Sequence, residues 1–543
     1  MSTKTYQADV VIAGGGLAGL TAAYELLERG VKVLVIEKGP RDKLGGLAKE
    51  SFGGVHMIGT PHQRRMRIKD SPELALKDWE SFAQFGAPNS DNEWPRAWAK
   101  YYCENSLEIF EFLTHKKIEF LPLVNWPERG MFRPGNSLPR WHITWGTGYE
   151  IIFRLVNALE AHPNRAKLEL LYDHEVSGFT VTNGRAVGVH GKSMADGSAY
   201  EARGENVVIA SGGMCGGDLS KVRANWYKDW GTPPKIILNG AHDFGDGLLQ
   251  DSAADLGARV THLDKQWHYA AGVHHPAKRR PADGLSLLPP RSALWMNAKG
   301  ERIGPVPLMG YTDMRYAVEQ IVKQPGQYSW QVMNWKIAIT ELAVSGCDFM
   351  TAFRYKSKLK LLRNLIFGNK EMVSRLIKEC PDDIVVAYNL SDLVKKMNER
   401  GLDGHRVDLR VMEDAIREYD DQCDRGPAYF CDDQLRRIMS FRANRGDRIR
   451  MCKYQKIVDQ KAMPLIAIRE FILSRKSLGG IQTDLACRVL KEDGRPIPGL
   501  FAVGEAAGFG GGGAHGLGSL EGTFLGGCVL TGRVAARSIA GKT

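Results

Sequence analysis

The chain has 543 residues and a formal net charge of +11, with 43% hydrophobic and 25% charged residues. This composition is typical of a globular protein, and the length predicts two or three domains, because single cores seldom exceed roughly 250–300 residues. No apolar run approaches the roughly 18 residues of a membrane-spanning helix. No nucleic-acid-binding module accompanies the basic charge, so a nucleic-acid partner is not expected. The nine cysteines contain no CxxC spacing, which disfavours structural zinc and favours a reducing compartment. We therefore expect a cytoplasmic protein without a metal site, and residues 1–8 suggest no targeting segment.

The first fifty residues predict a nucleotide-binding unit. An apolar run of strand-forming residues ends at Gly14, and Gly16 and Gly19 follow in a GxGxxG spacing before a helical stretch. A second apolar run ends at Glu37. The first glycine permits a tight turn, the second lets a pyrophosphate approach the helix N-terminus, and the third allows close packing of helix and strand. Because Glu37 can accept hydrogen bonds from ribose hydroxyls, the pattern predicts a dinucleotide site rather than an ordinary strand–turn–helix unit.

Later segments predict that this unit is interrupted. Residues 206–213 read as a buried strand and glycine turn that return to the first sheet. From about residue 264 the chain loses its regular alternation of strands and helices and becomes rich in Trp, Arg, Lys and Tyr, whereas strand-and-turn patterning resumes near its C-terminal end. We therefore predict an α/β fold in which a discontinuous nucleotide-binding domain, residues 1–263 and 461–543, carries an inserted domain at 264–460.

Several segments resemble motifs of one flavoprotein superfamily. Residues 498–505, which read PGLFAVGE, are similar to the IPGLYAAGE segment of the fumarate reductase and succinate dehydrogenase flavoproteins. Residues 479–484 resemble their GG-x-x-TD element, and residues 69–74 resemble the segment after their second glycine cluster. The nearest branch by resemblance is the 3-ketosteroid dehydrogenases, which carry similar runs at 140–148, 267–269, 474–480 and 508–518. The resemblance implies FAD in a Rossmann-type domain, with an inserted α+β substrate or capping domain.

The resemblance also indicates which residues contact FAD. Glu505 is expected at the ribityl chain, and the glycine pairs at 45–46 and 53–54 are expected to lie flat against the ring system. The predicted cofactor-binding residues are Gly14, Gly16, Leu17, Ala18, Gly19, Glu37, Lys38, Gly45, Gly46, Gly53, Gly54, Ser211, Gly212, Gly213, Asp246, Gly504, Glu505, Ser519 and Leu520. Respiratory members attach FAD covalently through a histidine whose place is taken here by Leu47, so noncovalent FAD is expected.

Departures from the family pattern bear on the substrate. Fumarate reductases hold the substrate carboxylate with an Arg in a HGANRLGG run, and the similar run at 515–522 has Ser519 at that place and adds Glu521. A neutral hydroxyl cannot make the two-pronged contact of a guanidinium with a carboxylate. A C4-dicarboxylate substrate is therefore disfavoured, and a small apolar substrate that bears a carbonyl, such as a steroid, is favoured.

Catalytic residues are also implied by the resemblance. Dehydrogenation beside a carbonyl needs a base for the α-proton, a hydride acceptor and donors for the developing enolate oxygen. Ketosteroid dehydrogenases use a Tyr base after a VN-x-x-G-x-R turn, and here Tyr311 follows the similar run at 295–302. The enolate-binding Tyr of those enzymes is missing, so His515 and the Gly518 N–H are the expected replacements.

Three further groups of residues are candidates for the pocket. Arg475 and Lys476 lie where fumarate reductases place a substrate-contacting histidine, and they are expected either to bind a carbonyl or carboxylate or to carry surface charge. The run Trp267–Tyr269 opens the inserted domain, and Arg140 and His142 precede a predicted helix. Each of these either lines the pocket or contributes to packing.

The favoured function is an FAD-dependent oxidoreductase acting on a CH–CH bond next to a carbonyl, in the manner of a 3-ketosteroid dehydrogenase, with hydride passing to flavin N5. Two alternatives stay open: a fumarate-reductase-like ene-reductase of an unsaturated acid or ketone, and an FAD-loaded electron-transfer subunit without its own substrate. A single dinucleotide fingerprint implies an external electron acceptor. The stretch 354–367 mixes basic and apolar residues at helical spacing, which predicts either a peripheral membrane contact or a solvated helix with one buried face.

Overall fold

The computed structural model describes residues 3–541, so residues 1–2 and 542–543, at the outer ends of the predicted nucleotide-binding domain, lie outside the described residues. Within residues 3–541 the α-helices are Leu17–Glu28, Gly46–Glu50, Pro61–Arg65, Pro72–Ala83, Glu93–His115, Thr147–Glu160, Ser220–Ala224, Leu248–Asp255, Met314–Val322, Trp335–Glu341, Thr351–Arg354, Lys358–Phe367, Lys370–Glu379, Leu390–Asn398, Leu409–Arg425, Asp433–Arg442, Arg445–Ile449 and Thr523–Ile539. None of these helices is long and apolar enough to cross a bilayer.

The nucleotide-binding unit is built on a six-stranded sheet. In spatial order its strands are Arg488–Leu490, Pro496–Ala502, Asn206–Ile209, Val10–Ala13, Val33–Ile36 and Leu168–Leu171. All neighbours are parallel except the first pair. Parallel strands covered on both faces need nearly continuous apolar runs, and the fully buried strands Val10–Ala13 and Val33–Ile36 supply them. The predicted return of the chain to the first sheet at residue 206 is confirmed by the pairing of Asn206–Ile209 with Val10–Ala13.

The inserted domain is built on a second, eight-stranded sheet. Its path runs through Leu294–Met296, Ser329–Asn334, Leu465–Ser477, Gln266–His274, Gly284–Leu288 and Ala343–Val344, and Leu238–Asn239 and Ile384–Ala387 also pair with the long strand Leu465–Ser477. That strand is therefore central to this sheet, although the predicted boundary assigns it to segment 461–543. Because its antiparallel partners Ser329–Asn334 and Gln266–His274 belong to the insert, we propose that the second boundary falls after Ser477.

Three smaller sheets complete the fold. One contains Lys4–Gln7, Ala199–Arg203, Arg185–Ser193 and His174–Thr182, another contains Gly54–His56, Trp141–Thr144 and Phe120–Asn125, and the third pairs Val260–Thr261 with Gly480–Ile481. The largest apolar core is continuous through both main sheets. The predicted fold class, an α/β nucleotide-binding domain that carries an inserted α+β domain, is confirmed.

Candidate active site

A long cavity of about 1070 Å³ begins at the glycine turn and follows the carboxyl ends of the parallel strands. Most of the residues predicted to bind the cofactor line it: Gly14, Gly16, Leu17, Ala18, Glu37, Lys38, Gly45, Gly46, Ser211, Gly212, Gly213, Asp246 and Glu505. These residues come from segments that are far apart in the chain, and the six-stranded sheet brings them to one edge.

The turn after the first buried strand has the shape that a diphosphate needs. Gly14 has a φ of 116°, and a Cβ there would lie 2.3 Å from the Ala210 carbonyl oxygen. A Cβ at Gly16 would meet no protein atom within 4 Å, so this glycine borders open cavity space. Helix Leu17–Glu28 starts here without a side-chain cap and without an acidic residue in its first turn. Its free N–H groups and its dipole are therefore available to an anion.

Glu37 lines the same cavity at the end of the second strand. Its Oε2 and Oε1 atoms accept hydrogen bonds from Gly15 N and Gly39 N, each at 2.8 Å. Burial raises the pKa of Glu37, while the two N–H donors act in the opposite direction. Each carboxylate oxygen keeps a second lone pair, so Glu37 can still accept hydrogen bonds from ribose hydroxyls.

Lys38 and Asp246, both predicted to contact the cofactor, lie in one ion-pair network. Lys38 Nζ is 2.7 Å from Glu175 Oε2 and 3.0 Å from Asp246 Oδ2. Burial alone would lower the pKa of Lys38, but its hydrogen bonds with the two carboxylates raise it. The ammonium is therefore compensated by the protein, and the anion-binding capacity of the cavity rests with the glycine turn.

Glu505 connects this cavity to a second one. Its Oε1 accepts a hydrogen bond from Ser477 N at 2.9 Å, and burial raises the pKa of Glu505 to about 7. The two cavities share Leu47, Ala48, Glu505 and Cys528 as wall residues. An elongated ligand that extends from the glycine turn to Glu505 therefore ends at the second cavity. Glycine backbone bordering free space, a carboxylate at the ribose position and this elongated shape all fit FAD.

The second cavity has a volume of about 720 Å³ and lies between the nucleotide-binding domain and the insert. Its wall consists of Leu47, Ala48, Ser51, Phe52, Gly53, Gly54, Trp141, Tyr269, Leu288, Tyr311, Ser345, Arg475, Lys476, Glu505, Phe509, Glu521, Gly522, Phe524, Leu525 and Cys528. The wall is mostly apolar, and a few polar side chains converge on it. That combination is typical of a site for a small organic molecule.

Three of the polar side chains form a hydrogen-bonded chain. Lys476 Nζ donates to the Tyr269 hydroxyl at 3.2 Å, and this hydroxyl donates to the Glu521 carboxylate at 3.0 Å and 3.1 Å. The ammonium also lies 3.9 Å from the centroid of the Phe524 ring, within the range of a cation–π contact. Burial lowers the pKa of Lys476 to about 8, while Glu521 acts to raise it. Tyr311 stands beside this chain, with its ring centroid 6.2 Å from that of Tyr269.

Tyr311 lines the cavity from an unusual backbone conformation. Its φ is 53°, in the left-handed region that aromatic residues rarely adopt. The N–H groups of Glu128 and Gly130 hold the loop by donating to the carbonyl oxygens of Tyr311 and Thr312, both at 2.8 Å. Such strain costs about 1–3 kcal/mol and clusters at functional sites. Burial, followed by the charges of Glu521 and Glu128, raises the pKa of Tyr311 well above its ordinary value.

Arg475 also contributes to the cavity wall, as Tyr311 and Lys476 do. Its Nη1 donates to the Gly240 carbonyl oxygen, and its Nε has no hydrogen-bond partner among residues 3–541. Arg475 borders a further small cavity together with Ser345. The sequence left open whether these two basic residues lie in a pocket or on the surface, and both are buried.

His515 lies outside both cavities. Its Nε2 is 2.8 Å from Thr523 Oγ1, and its ring stacks on Trp79 with a centroid distance of 5.2 Å. Phe509 and Phe524, which do line the second cavity, pack against the His515 ring. Burial lowers the pKa of His515 to about 3, so the imidazole is neutral. This position does not support the expected role of His515 as the donor to an enolate oxygen.

Gly518, Ser519 and Leu520 are also turned away from the two cavities. Gly518 packs so closely on helix Pro72–Ala83 that a Cβ would lie 2.6 Å from the Phe82 carbonyl oxygen. Ser519 is buried with its Oγ 3.0 Å from Thr523 Oγ1, and Leu520 is part of the apolar core. The expected contacts of Gly518 with substrate and of Ser519 and Leu520 with the cofactor are therefore not supported, because this loop folds against a helix of the nucleotide-binding domain.

Other predicted cofactor residues support the site from behind or lie further along it. A Cβ at Gly19 would lie 2.1 Å from the Gly14 carbonyl oxygen, which fits its expected role in helix–strand packing. Gly504 precedes Glu505 in a short 3₁₀ turn and lines neither cavity. The glycine pair at 53–54 lines the second cavity rather than the first.

Arg140 and His142 serve the structure around the site. Arg140 is fully buried and forms ion pairs with Asp70 at 2.8 Å and Asp78 at 2.5 Å. Burial lowers the pKa of His142 to about 4, so this imidazole is neutral. Their neighbour Trp141 does line the second cavity, because alternate side chains of a strand point to opposite sides.

Sequence reasoning missed the roles of Tyr269 and Glu521. Tyr269 belongs to the run Trp267–Tyr269, for which the sequence left packing and pocket lining open, and only its last residue lines the cavity. Glu521 was visible as an added acid in the run at 515–522. This acid departs from the family pattern, and that departure is the sequence feature that could have identified Glu521 as a polar residue of the pocket.

Comparisons with known proteins agree with this geometry. Residues 9–525 match the family model described as "FAD binding domain". A KsdD-like steroid dehydrogenase of Mycobacterium tuberculosis is 38% identical over 551 residues, which cover 98% of this chain and 96% of the relative.

Two solved structures share the fold along nearly the whole chain. The 3-ketosteroid delta1-dehydrogenase of Sterolibacterium denitrificans, in complex with 1,4-androstadiene-3,17-dione, has a TM-score of 0.69 at 18% identity and covers 99% of this chain and 100% of its own. A flavocytochrome c3 fumarate reductase has a TM-score of 0.68 at 19% identity and covers 99% of this chain and 78% of its own. At this identity the two structures establish the fold, and they do not distinguish between the reactions.

Proposed function

The chain belongs to the FAD-binding flavoprotein family whose model it matches, and from this premise we propose that it is an FAD-dependent dehydrogenase acting on a CH–CH bond next to a ketone. The observation that carries the proposal is the convergence of Tyr311, Tyr269 and Lys476 on a largely apolar cavity that meets the cofactor cavity at Glu505. The similarity to steroid dehydrogenases supports a steroid-like substrate.

Tyr311 is the proposed base that takes the α-proton. Its raised pKa means that its phenolate, once formed, is a strong base, and the nearby Arg475 acts to lower that pKa. The backbone hydrogen bonds from Glu128 and Gly130 hold the Tyr311 loop in place before substrate arrives. When bound, FAD supplies the acceptor for the hydride that leaves the neighbouring carbon.

Lys476 is the proposed donor for the developing enolate oxygen, in the role that the sequence assigned to His515 and Gly518, and Tyr269, whose one O–H proton goes to Glu521, holds the ammonium in place. The hydroxyl and the ammonium are already joined at 3.2 Å, and Glu521 fixes the hydroxyl from the other side. Donors that are oriented in advance stabilise a developing oxyanion without reorganisation during the reaction.

The ene-reductase of an unsaturated acid or ketone is the alternative reaction. It would use the same Tyr311 as a proton donor, and the buried Arg475 beside the cavity favours it as a partner for a carboxylate. A subunit that only transfers electrons needs no acid or base beside the flavin, so the convergence of Tyr311 and Lys476 on this cavity argues against that reading.

We further propose that the FAD is noncovalent and that an external acceptor reoxidises it. Leu47 lines both cavities and carries no nucleophile that could attach to the cofactor. The chain carries one dinucleotide fingerprint, so a second bound nucleotide is not proposed as the acceptor.

Anaerobic titration of the purified flavoprotein tests the reaction. Saturated 3-oxo steroids should bleach the oxidised flavin, and Tyr311→Phe should slow the bleaching at least about 100-fold without loss of bound FAD. Tyr316→Phe is the matched control, since this Tyr lies five residues away and lines neither cavity. If no 3-oxo compound bleaches the flavin while an unsaturated acid reoxidises the dithionite-reduced protein, the ene-reductase replaces the dehydrogenase.

We also propose a peripheral contact with anionic membranes through the stretch 354–367. Its helix, Lys358–Phe367, has no buried residue, and five of its large apolar side chains are exposed: Leu359 (80%), Leu362 (55%), Leu365 (44%), Ile366 (63%) and Phe367 (63%). Residues 354–370 contain six Lys or Arg and no acid. This composition matches an interfacial helix, whereas a solvated helix with one buried face would hide its apolar side. Self-association through this helix is disfavoured, because it would bring the basic side chains of two copies together.

A further inference from the structure

Another cavity, the distal cavity, adjoins the proposed active site and extends away from the cofactor cavity. It has a volume of about 680 Å³ and shares Trp141, Leu288 and Tyr311 with the active-site cavity. Trp126, Pro289, Pro290 and Met451 form apolar parts of its wall, and no residue of this wall lines the cofactor cavity. A rigid apolar substrate that reaches Tyr311 from this side would leave its distal end here.

Two arginines line this distal cavity, and they differ in their partners. Arg291 Nη1 lies 2.5 Å from Asp447 Oδ1. Arg129 binds the other oxygen of Asp447, so this carboxylate is shared by two guanidinium groups. Arg450 makes no side-chain hydrogen bond or ion pair with any residue in the range 3–541.

The other acid of the distal cavity is already committed to its neighbours. Glu341 Oε2 accepts hydrogen bonds from Arg291 N at 2.9 Å and Ser292 N at 3.1 Å, and its Oε1 accepts from Ser292 Oγ at 2.6 Å and Cys452 N at 2.8 Å. Glu341 is thus held by the backbone on both oxygens. Arg450 remains the cation of this wall without a direct partner.

Covering the unpartnered Arg450 guanidinium with an apolar ligand costs binding free energy. Burial lowers the pKa of Arg450 and the charge of Arg291 lowers it further, while the charges of Glu341 and Asp447 act in the opposite direction. The side chain is half-buried, so water still reaches the guanidinium. A neutral distal group would remove the remaining water from Arg450 and give no hydrogen bond in return. A carboxylate would replace that water with a charge-assisted contact.

We propose that the substrate is an apolar ketone whose distal end carries a carboxylate, and that Arg450 binds this carboxylate in the distal cavity. The inference rests on the proposed dehydrogenase function, and it narrows the substrate class from neutral steroid-like ketones to their side-chain acids. Arg450 is then a specificity-determining residue, because it contacts the end of the substrate away from the reacting carbons.

The test uses one 3-oxo steroid nucleus in two forms, a side-chain acid and its methyl ester. With the FAD-loaded enzyme, kcat/KM for the acid should exceed that for the ester by about 10- to 100-fold, the worth of one charge-assisted contact. Arg450→Met should bring the ratio close to one by lowering the value for the acid, and Arg450→Lys should keep part of the preference. Arg448→Met, two residues away on the exposed side of the same segment, should leave the ratio unchanged.

Calorimetric binding of both compounds to the dithionite-reduced enzyme, which cannot oxidise them, separates the carboxylate subsite from the reaction. If neither compound is oxidised, the dehydrogenase function fails. If the acid and the ester bind with equal Kd, or if Arg450→Met weakens both equally, the carboxylate subsite fails whatever the turnover.

Discussion

Lys476 is a buried ammonium whose charge depends on pH within an accessible range. It lies on strand Leu465–Ser477 and donates to Tyr269, while the aromatic ring of Phe524 covers it from another side. Burial lowers its pKa to about 8, so the group is charged below that value and neutral above it. Tyr311 behaves oppositely, because its reactive phenolate forms only as the pH rises toward its elevated pKa.

These two ionisations predict the shape of the pH profile. If Tyr311 is the base and Lys476 a required donor, log kcat/KM should rise with unit slope up to about pH 8 and then level off. The plateau follows because the gain of phenolate is cancelled by the loss of ammonium. Lys476→Met should lower the rate and remove the break at pH 8, so that the rise continues to higher pH. Lys378→Met, at an exposed site, is the control, and an unchanged break in Lys476→Met would exclude Lys476 as the titrating group.

The glycine turn is the element that makes the cofactor site, and two of its glycines serve different ends. A side chain at Gly16 would enter open cavity space, whereas a side chain at Gly19 would collide with the Gly14 carbonyl oxygen at 2.1 Å. Gly16 has an extended backbone with φ −75°, which any residue can adopt. Gly16 therefore matters to ligand binding, whereas Gly19 matters to the packing of the helix on the strand.

This difference predicts contrasting outcomes for two substitutions. Gly16→Val should lower the FAD content of the purified protein at least about 10-fold, because a branched side chain fills the place of the diphosphate. The melting temperature of its FAD-stripped form should stay within about 2 °C of the equally stripped parent, a range that corresponds to a small surface effect. Gly19→Ala should instead lower that melting temperature or prevent soluble expression. Normal FAD content in Gly16→Val would contradict the assignment of the diphosphate to this turn.

The same element could be predicted from sequence because its information is local. Strand, glycines, helix and acid all lie within the first forty residues, and each has a fixed spacing. The hydrogen-bonded chain of Lys476, Tyr269 and Glu521 has no such spacing. The meeting of Tyr269 and Lys476 depends on the register between strands Gln266–His274 and Leu465–Ser477. That register shifts between Trp267 and His268, so alternation along the strand could not identify the residue facing the cavity.

The position of the loop that carries His515 depends on tertiary packing in the same way. Leu517 N donates to the Ala83 carbonyl oxygen at 2.7 Å, and Trp79 Nε1 donates to the Ala514 carbonyl oxygen at 2.8 Å. These bonds attach the loop to helix Pro72–Ala83, more than four hundred residues away in sequence. A motif match gives the order of residues along such a loop but not the side on which each faces.

At the scale of the whole molecule, the exposed helix Lys358–Phe367 relates the active site to the surroundings of the protein. It follows the short helix Thr351–Arg354, where Phe353 packs against Phe52 with ring centroids 5.1 Å apart. Phe52 lines the active-site cavity, so the segment that leads into the exposed helix packs on the wall of this cavity.

Liposome flotation of the FAD-loaded protein provides the test of this surface. The protein should float with vesicles that contain phosphatidylglycerol, bind neutral phosphatidylcholine vesicles less, and dissociate as salt is raised, because the basic residues contribute a screened attraction. Leu362→Glu with Ile366→Glu should abolish flotation without changing turnover of a soluble substrate, since both side chains are already exposed. Val411→Glu with Met439→Glu, exposed at 39% and 43% on other helices, is the matched control and should float normally. Flotation that survives the first pair would refute the membrane contact, and a dimer that the same pair dissociates would assign the helix to a second copy of the chain.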